Sequence, residues 1–355
     1  MACAMISFKN PPNRRSAGSI GATCWWFKTG LACLLCLAFC SPDTRGSDWS
    51  YPRGDAASSG SSDAKLPMEL EVAWEFKADE AFEATPVIAG SRVFAADVMG
   101  SIYAISRSDG KELWRKNYDT GFLAAPVVSG DQLIIGDIEG NVYALAVADG
   151  KERWKQTTEG EISGAAAIYE DNVLVASQDG RLYCFRFDTG KSVWVYEADD
   201  QIRCAPTIAG DQTFLGGCDA KLHIVDLKTG KASGEALPLG GPTGSTPAVQ
   251  GDLAVVPIMD GSVFGFDWKN RTELWRYDDP LQAQEYRNSA AVAGNVAVVS
   301  SQRKHVDAID MRSGKRIWRH TLKRRADASP VISAGDVWIP ASCLLYTSDA
   351  ADDPT

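Results

Sequence analysis

The chain has 355 residues, 45% of them apolar and 23% charged, with 36 Lys+Arg against 46 Asp+Glu and a formal net charge of −10. That composition excludes a disordered chain and a membrane-filling one, and the acidity has the wrong sign for a surface that tracks nucleic-acid phosphates. The three His, at positions 223, 305 and 320, lack ligand-like spacing, which excludes a zinc site built on all three.

Residues 1–41 carry four basic residues (Lys9, Arg14, Arg15, Lys28) and no acid, then an apolar run from Leu31 to Cys40 before Ser41-Pro42. This order reads as a secretory signal, since the run is shorter than the ~20 apolar residues needed to span a bilayer. Adding Cys24 to Phe27 to the run keeps an uncleaved N-terminal anchor open as the alternative. Acylation at Cys40 meets a bulky Phe39 where a small residue belongs. The expected location is therefore the periplasm or outer envelope of a bacterium, with peripheral or no membrane contact after cleavage. Five of the nine cysteines lie in this leader and Cys343 in the tail. Cys184, Cys204 and Cys218 remain, too few for a disulfide framework, and they read as small buried strand residues with room for one bridge.

After a lead-in over residues 42–69, the chain repeats itself. Trp74, Trp114, Trp154 and Trp194 are each 40 residues apart, and Trp275 and Trp318 continue the series. A second marker runs in phase, from Pro86-Val-Ile and Pro126-Val-Val to Ala290-Ala-Val and Pro330-Val-Ile. A third follows as Gly100-Ser-Ile-Tyr, Gly140-Asn-Val-Tyr, Gly180-Arg-Leu-Tyr, Ala220-Lys-Leu-His and Gly261-Ser-Val-Phe. Each period reads as four short strands joined by Gly-Asp, Asp-Gly and Thr-Gly-Lys turns, in which glycine accepts positive φ without strain. Such a unit cannot bury both faces alone, so the units are expected to stack radially as an all-β propeller of four-stranded antiparallel blades rather than as a solenoid.

The stretch from Ala104 to Trp114 resembles the tryptophan-docking repeat of the pyrroloquinoline-quinone (PQQ) type propellers, and it recurs up to Ala308–Trp318. The resemblance covers about residues 70 to 340. It implies that Trp74, Trp114, Trp154, Trp194, Trp275 and Trp318 are each sandwiched between neighbouring blades, with the indole hydrogen-bonded. Two copies depart from the pattern: Gly234 stands where Trp belongs, and Arg271 where the turn glycine belongs. Junctions around the fourth and fifth units should then be looser or differently packed. The run from Trp49 to Asp55 resembles the short lead-in of secreted members. Family rings usually have eight blades. Counting from Pro86 gives six complete units and a truncated seventh, with Trp74 on an isolated strand expected to close the ring by joining the last blade. Residues 343–355 resemble a translated sequencing adapter, with a degenerate seventh repeat as the competing reading. The resulting division is a leader over 1–41, a lead-in over 42–69, a propeller over 70–342 and a non-native tail over 343–355.

A PQQ-dependent dehydrogenase would need a calcium-bound quinone, a catalytic Asp and, in many members, a vicinal disulfide. No such motif is identifiable, and the short inter-blade connections leave little from which to build a lid. No cofactor is expected, PQQ with calcium entering only under that alternative. His223 occupies the slot of Tyr103, Tyr143 and Tyr183 and reads as a core aromatic. Asp97, Asp137, Asp179 and Asp260 read as turn residues, and Lys323-Arg324-Arg325 as a solvated face. The position three before each second marker should lie at one mouth of the channel: Glu83, Leu123, Ser163, Arg203, Gly244, Arg287 and Asp327. Of these, Glu83, Ser163, Arg203, Arg287 and Asp327 form the candidate contact ring for a ligand or peptide, with an internal salt network as the alternative. The sequence thus points to a non-enzymatic scaffold that binds an envelope protein or peptide and no nucleic acid, similar to the envelope propellers that scaffold outer-membrane protein assembly.

Overall fold

The computed structural model describes residues 7–9, 48–67, 70–279, 284–326 and 328–340. Every regular element among them is a strand, as the period-2 patterning requires. Six antiparallel four-stranded sheets follow one another along the chain. The first comprises Val87–Ala89, Arg92–Ala96, Ser101–Ser106 and Glu112–Asn117, in that order from the channel outward. The next five begin at Val127, Ala167, Thr207, Ala248 and Ala291. The innermost strands neighbour one another in chain order, so the sheets stand as blades around a channel.

The core lies between the blades rather than within them. Phe94, Ile102, Leu133 and Tyr143 interlock the first and second sheets, and Phe214, Leu222, Val256 and Phe266 the fourth and fifth. Comparable clusters fill the other junctions. Fully burying an aliphatic or aromatic side chain contributes about 1.5–3 kcal/mol, so each junction is a small core of its own. The aromatic slot and the turn aspartates prove to be one device. Tyr103, Tyr143 and Tyr183 donate their hydroxyls to Asp97, Asp137 and Asp179 at 2.8, 2.9 and 2.6 Å. His223 bonds Asp219 through Nε2 at 2.8 Å in the same way, and its Nδ1 meets the Tyr196 hydroxyl. All three described cysteines are free, with Cys184 and Cys204 buried.

The seventh sheet differs from the expected one. Val331–Ser333 and Asp336–Trp338 form its hairpin, Ser7–Lys9 pairs antiparallel with the outer strand, and Ser61–Ser62 pairs parallel with the inner one. Trp74 therefore does not join the last blade. Residues 70–78 carry no strand, and Leu70 and Val72 stay 48% and 76% exposed. Asp327 and the tail over 343–355 lie outside the described residues, as does the leader apart from residues 7–9.

Candidate functional site

The outermost strands set the blade junctions. A β-bulge falls one residue before the tryptophan, so that Ala104 pairs with Trp114 while Ile105 pairs with Glu112. The extra residue bends the strand and aims the indole at the next blade. The same bulge precedes Trp154, Trp194, Trp275 and Trp318, whereas Trp74 lies outside any strand and docks on the first blade without one. Trp74, Trp114, Trp154, Trp194 and Trp275 donate Nε1–H to the carbonyls of Arg107, Val147, Phe187, Leu227 and Met311 at 2.6–3.1 Å. Each ring lies on the next turn glycine. At Gly190, φ is +68° and a Cβ would come within 2.8 Å of the Trp154 ring. Trp318 heads toward the seventh blade, where the turn it would meet is not described.

The fourth-to-fifth junction is differently packed, and its two departures complement each other. Without an indole at 234, the Arg271 guanidinium reaches back and donates to the carbonyls of Ser233 and Glu235. A Cβ at Gly234 would sit 3.0 Å from Arg271 Nε, so the small residue makes room for the large one. Trp268 packs edge-on against Phe214 at 5.3 Å.

The channel is not empty. The lead-in runs around its wall and bonds the middle residue of one innermost strand after another. Trp49 pairs with Ile88, and the carbonyls of Ser50, Ala56, Ala57, Ser59 and Gly60 accept from Val128, Ile208, Val249, Val292 and Ile332 at 2.7–3.1 Å. At the third blade, Tyr51 and Ile168 pack on the same cluster of Ala84, Ala125, Val127 and Ala165. This strap satisfies inward-facing N–H groups that would otherwise be stranded in the channel. From Gly54 to Ser62 it contains only Gly, Ala, Ser and one Asp, and that small-residue run was the available sign that it threads a narrow space.

Above the strap, at one mouth, lies a cavity of about 200 Å³. Glu83, Leu123, Ser163, Arg203 and Gly244 all line it, so the structure gathers five positions of the predicted slot. Arg287 is exposed outside it, with its Nε 2.6 Å from Glu285. Among the described residues no ion pair joins two members of the ring, and Asp327 lies outside those residues. The floor comes from Tyr51, Arg53 and Asp55 of the strap, which reading the sequence did not single out. Arg53 Nη2 donates to the Ala290 carbonyl at 2.8 Å, and its Nε is buried without a partner. Burial lowers the Arg53 pKa to about 10, against the opposing influence of Asp55. The Asp55 carboxylate is itself engaged by the Ser59 amide and hydroxyl, at 3.0 and 2.6 Å.

No group of three or more His, Cys, Asp or Glu among the described residues could hold a metal ion. The cavity is also below the ~300–1,000 Å³ usual for cofactor pockets.

Comparison with known proteins agrees with this architecture. The family model described as outer membrane protein assembly factor BamB matches residues 70–116, 98–237 and 236–340. The crystal structure of BamB from Moraxella catarrhalis superposes with a TM-score of 0.66 at 21% identity, over 76% of this chain and 86% of that one, a likeness of fold. Two curated relatives are serine/threonine-protein kinases AfsK, from Streptomyces griseus and Streptomyces coelicolor, each 30% identical. Those matches cover 19% and 21% of this chain and span only 12% and 13% of the kinases' own length.

Proposed function

Because the chain belongs to the PQQ-type repeat family described as outer membrane protein assembly factor BamB, we propose that it is an exported, non-enzymatic scaffold that binds a protein partner in the bacterial envelope. The observation that carries this reading is the strap. The chain's own backbone lines the channel wall where an enzyme of this architecture would hold its cofactor, leaving the blade rims and the mouth as the surface for other molecules. The rims suit contact with protein. The bulged residues Leu113, Val193, Leu274 and Ile317 are 45–48% exposed on outermost strands, where edge pairing and apolar contact are both available. The reading takes no cofactor, and PQQ with calcium belongs only to the dehydrogenase alternative.

A photo-crosslinking amino acid placed at Leu113, Val193, Leu274 or Ile317 in cells should yield adducts with envelope proteins of the outer-membrane assembly apparatus. The same probe at buried Leu133 should yield none. Rim positions as silent as Leu133, or PQQ- and calcium-dependent oxidation of an alcohol by the purified chain, would overturn the reading.

A further inference from the structure

The residue just before each second marker is small in every unit, and its chemistry divides the ring. In the later blades it bears a hydroxyl that accepts the backbone N–H of the preceding blade. Ala205 N donates to Thr246 Oγ1, Thr246 N to Ser289 Oγ and Ser289 N to Ser329 Oγ, at 3.2, 2.9 and 3.0 Å. In the second, third and fourth blades the same positions are Ala125, Ala165 and Ala205, which offer no acceptor, while the first blade has Thr85. Ala125 and Ala165 are buried, and their N–H groups have no partner among the described residues. Stranding such donors is unfavourable, and the mouth cavity lies over this half of the ring. Its lining adds Arg53, with a buried unpartnered Nε and no carboxylate at ion-pair distance among the described residues, and Arg203, bonded only to Gln201. Gly60, at φ +63°, leaves room for Arg53, since a Cβ there would lie 2.1 Å from Nη2.

We infer that this cavity is a binding site for a carboxylate group, held by Arg53 at the floor, Arg203 at the rim and the free amides of Ala125 and Ala165. Arg53 Nε and the Ala125 and Ala165 amides lack acceptors, and together with the Arg203 guanidinium at the rim they form an oxyanion-binding arrangement in a cavity that Glu83 and Asp55 also line, since a planar carboxylate suits a guanidinium. The volume admits a single small acid or the terminal residue of a peptide. The site is separate from the rims on which the proposed scaffold role rests.

Isothermal titration calorimetry of the purified chain tests the inference with three probes: trialanine, its C-terminal amide, and succinate. Trialanine or succinate should bind, and the amide at least about tenfold more weakly, as expected for loss of a charge-assisted pair. Trialanine binding alone identifies a chain end as the source of the carboxylate, and equal succinate binding identifies a free acid. Arg203→Ala should weaken binding severalfold. Ala165→Ser, which supplies the acceptor present in the other half, should do the same by occupying the Ala125 amide, and neither disturbs the strap. Equal binding of acid and amide, no heat with any probe, or full affinity in both variants would overturn the inference.

Discussion

The junctions between blades are of two kinds, and the difference separates what the repeat needs from what it merely uses. Four junctions seat an indole on a turn glycine and tie it to a carbonyl, and Trp74 docks on the first blade in the same way. The fourth-to-fifth junction lacks both residues, yet it is tied to two carbonyls by one guanidinium reaching in the opposite direction. What every junction requires is a polar tip on a long side chain that bonds the neighbour's backbone, opposite a residue small enough to let it pass. Tryptophan adds apolar area to that requirement, whereas arginine adds a second donor and a desolvation cost.

The comparison breaks most directly at Trp154, whose ring is 8% exposed. Trp154→Ala should lower unfolding stability by about 3–5 kcal/mol in a urea titration, because it removes a buried aromatic and leaves the Phe187 carbonyl with Gln132 Nε2 as its remaining donor. Gly190→Ala attacks the same junction from the other side and should cost about 1–3 kcal/mol through strain at positive φ and contact with the ring. The exceptional junction calls for a double-mutant cycle. Arg271→Gly and Gly234→Trp should each destabilise alone, the second by driving an indole into the guanidinium. Together they should recover stability with a coupling of about 0.5–3 kcal/mol. Simple additivity would mean that the two departures from the repeat are unrelated.

Much of this was legible in the sequence because a propeller repeats its instructions. Three markers in register identified the blades, the tryptophan slots and the mouth positions, each supported by several copies. His223 could be assigned to the tyrosine slot by register alone. What had no second copy was harder to read. The strap occurs once, so no period marks it, and its bonds run through backbone that carries no residue signature. Arg53 therefore went unnoticed although it forms the cavity floor. Arg271 was visible as a misfit, but its partner Gly234 lies 37 positions earlier, and only the folded junction brings them together. The seventh sheet misled for a related reason: Ser7–Lys9 and Ser61–Ser62 complete it, pairings between segments far apart in sequence that no repeat marks.

Smaller effects sharpen the same distinction between slot and occupant. Ala220 stands where four sister turns have glycine and takes φ +61°. Ala220→Gly should raise the thermal midpoint by the equivalent of about 1 kcal/mol, since a Cβ in the left-handed region is disfavoured there. A lower midpoint would show that unfolded-state entropy outweighs relief of the turn.

The smallest expected effect concerns the turns that receive the junction side chains. At the turn under Trp74, a hydrogen bond from Ser106 and then the Lys111 ammonium hold Asp109 down to about 2, below its ordinary 3.8. At the turn bearing Arg271 the acid and its neutral partner exchange ends, Asp267 being lowered first by the Asn270 amide. A carboxylate depressed in the folded state contributes stability above its unfolded pKa and loses it as pH falls through the folded value. The Asp109 contribution should thus be intact above about pH 4–5 and gone near pH 2. Asp109→Asn should accordingly lower the thermal midpoint slightly at neutral pH, with the gap to the parent chain closing on acidification. Added salt should also narrow it, because the group is fully exposed. Asp267→Asn should follow the same trend, as these turns hold their acids locally whichever side chain docks above them. If the two variants diverge with pH, the docked residue reaches into the turn, and indole and guanidinium are not equivalent occupants of one slot.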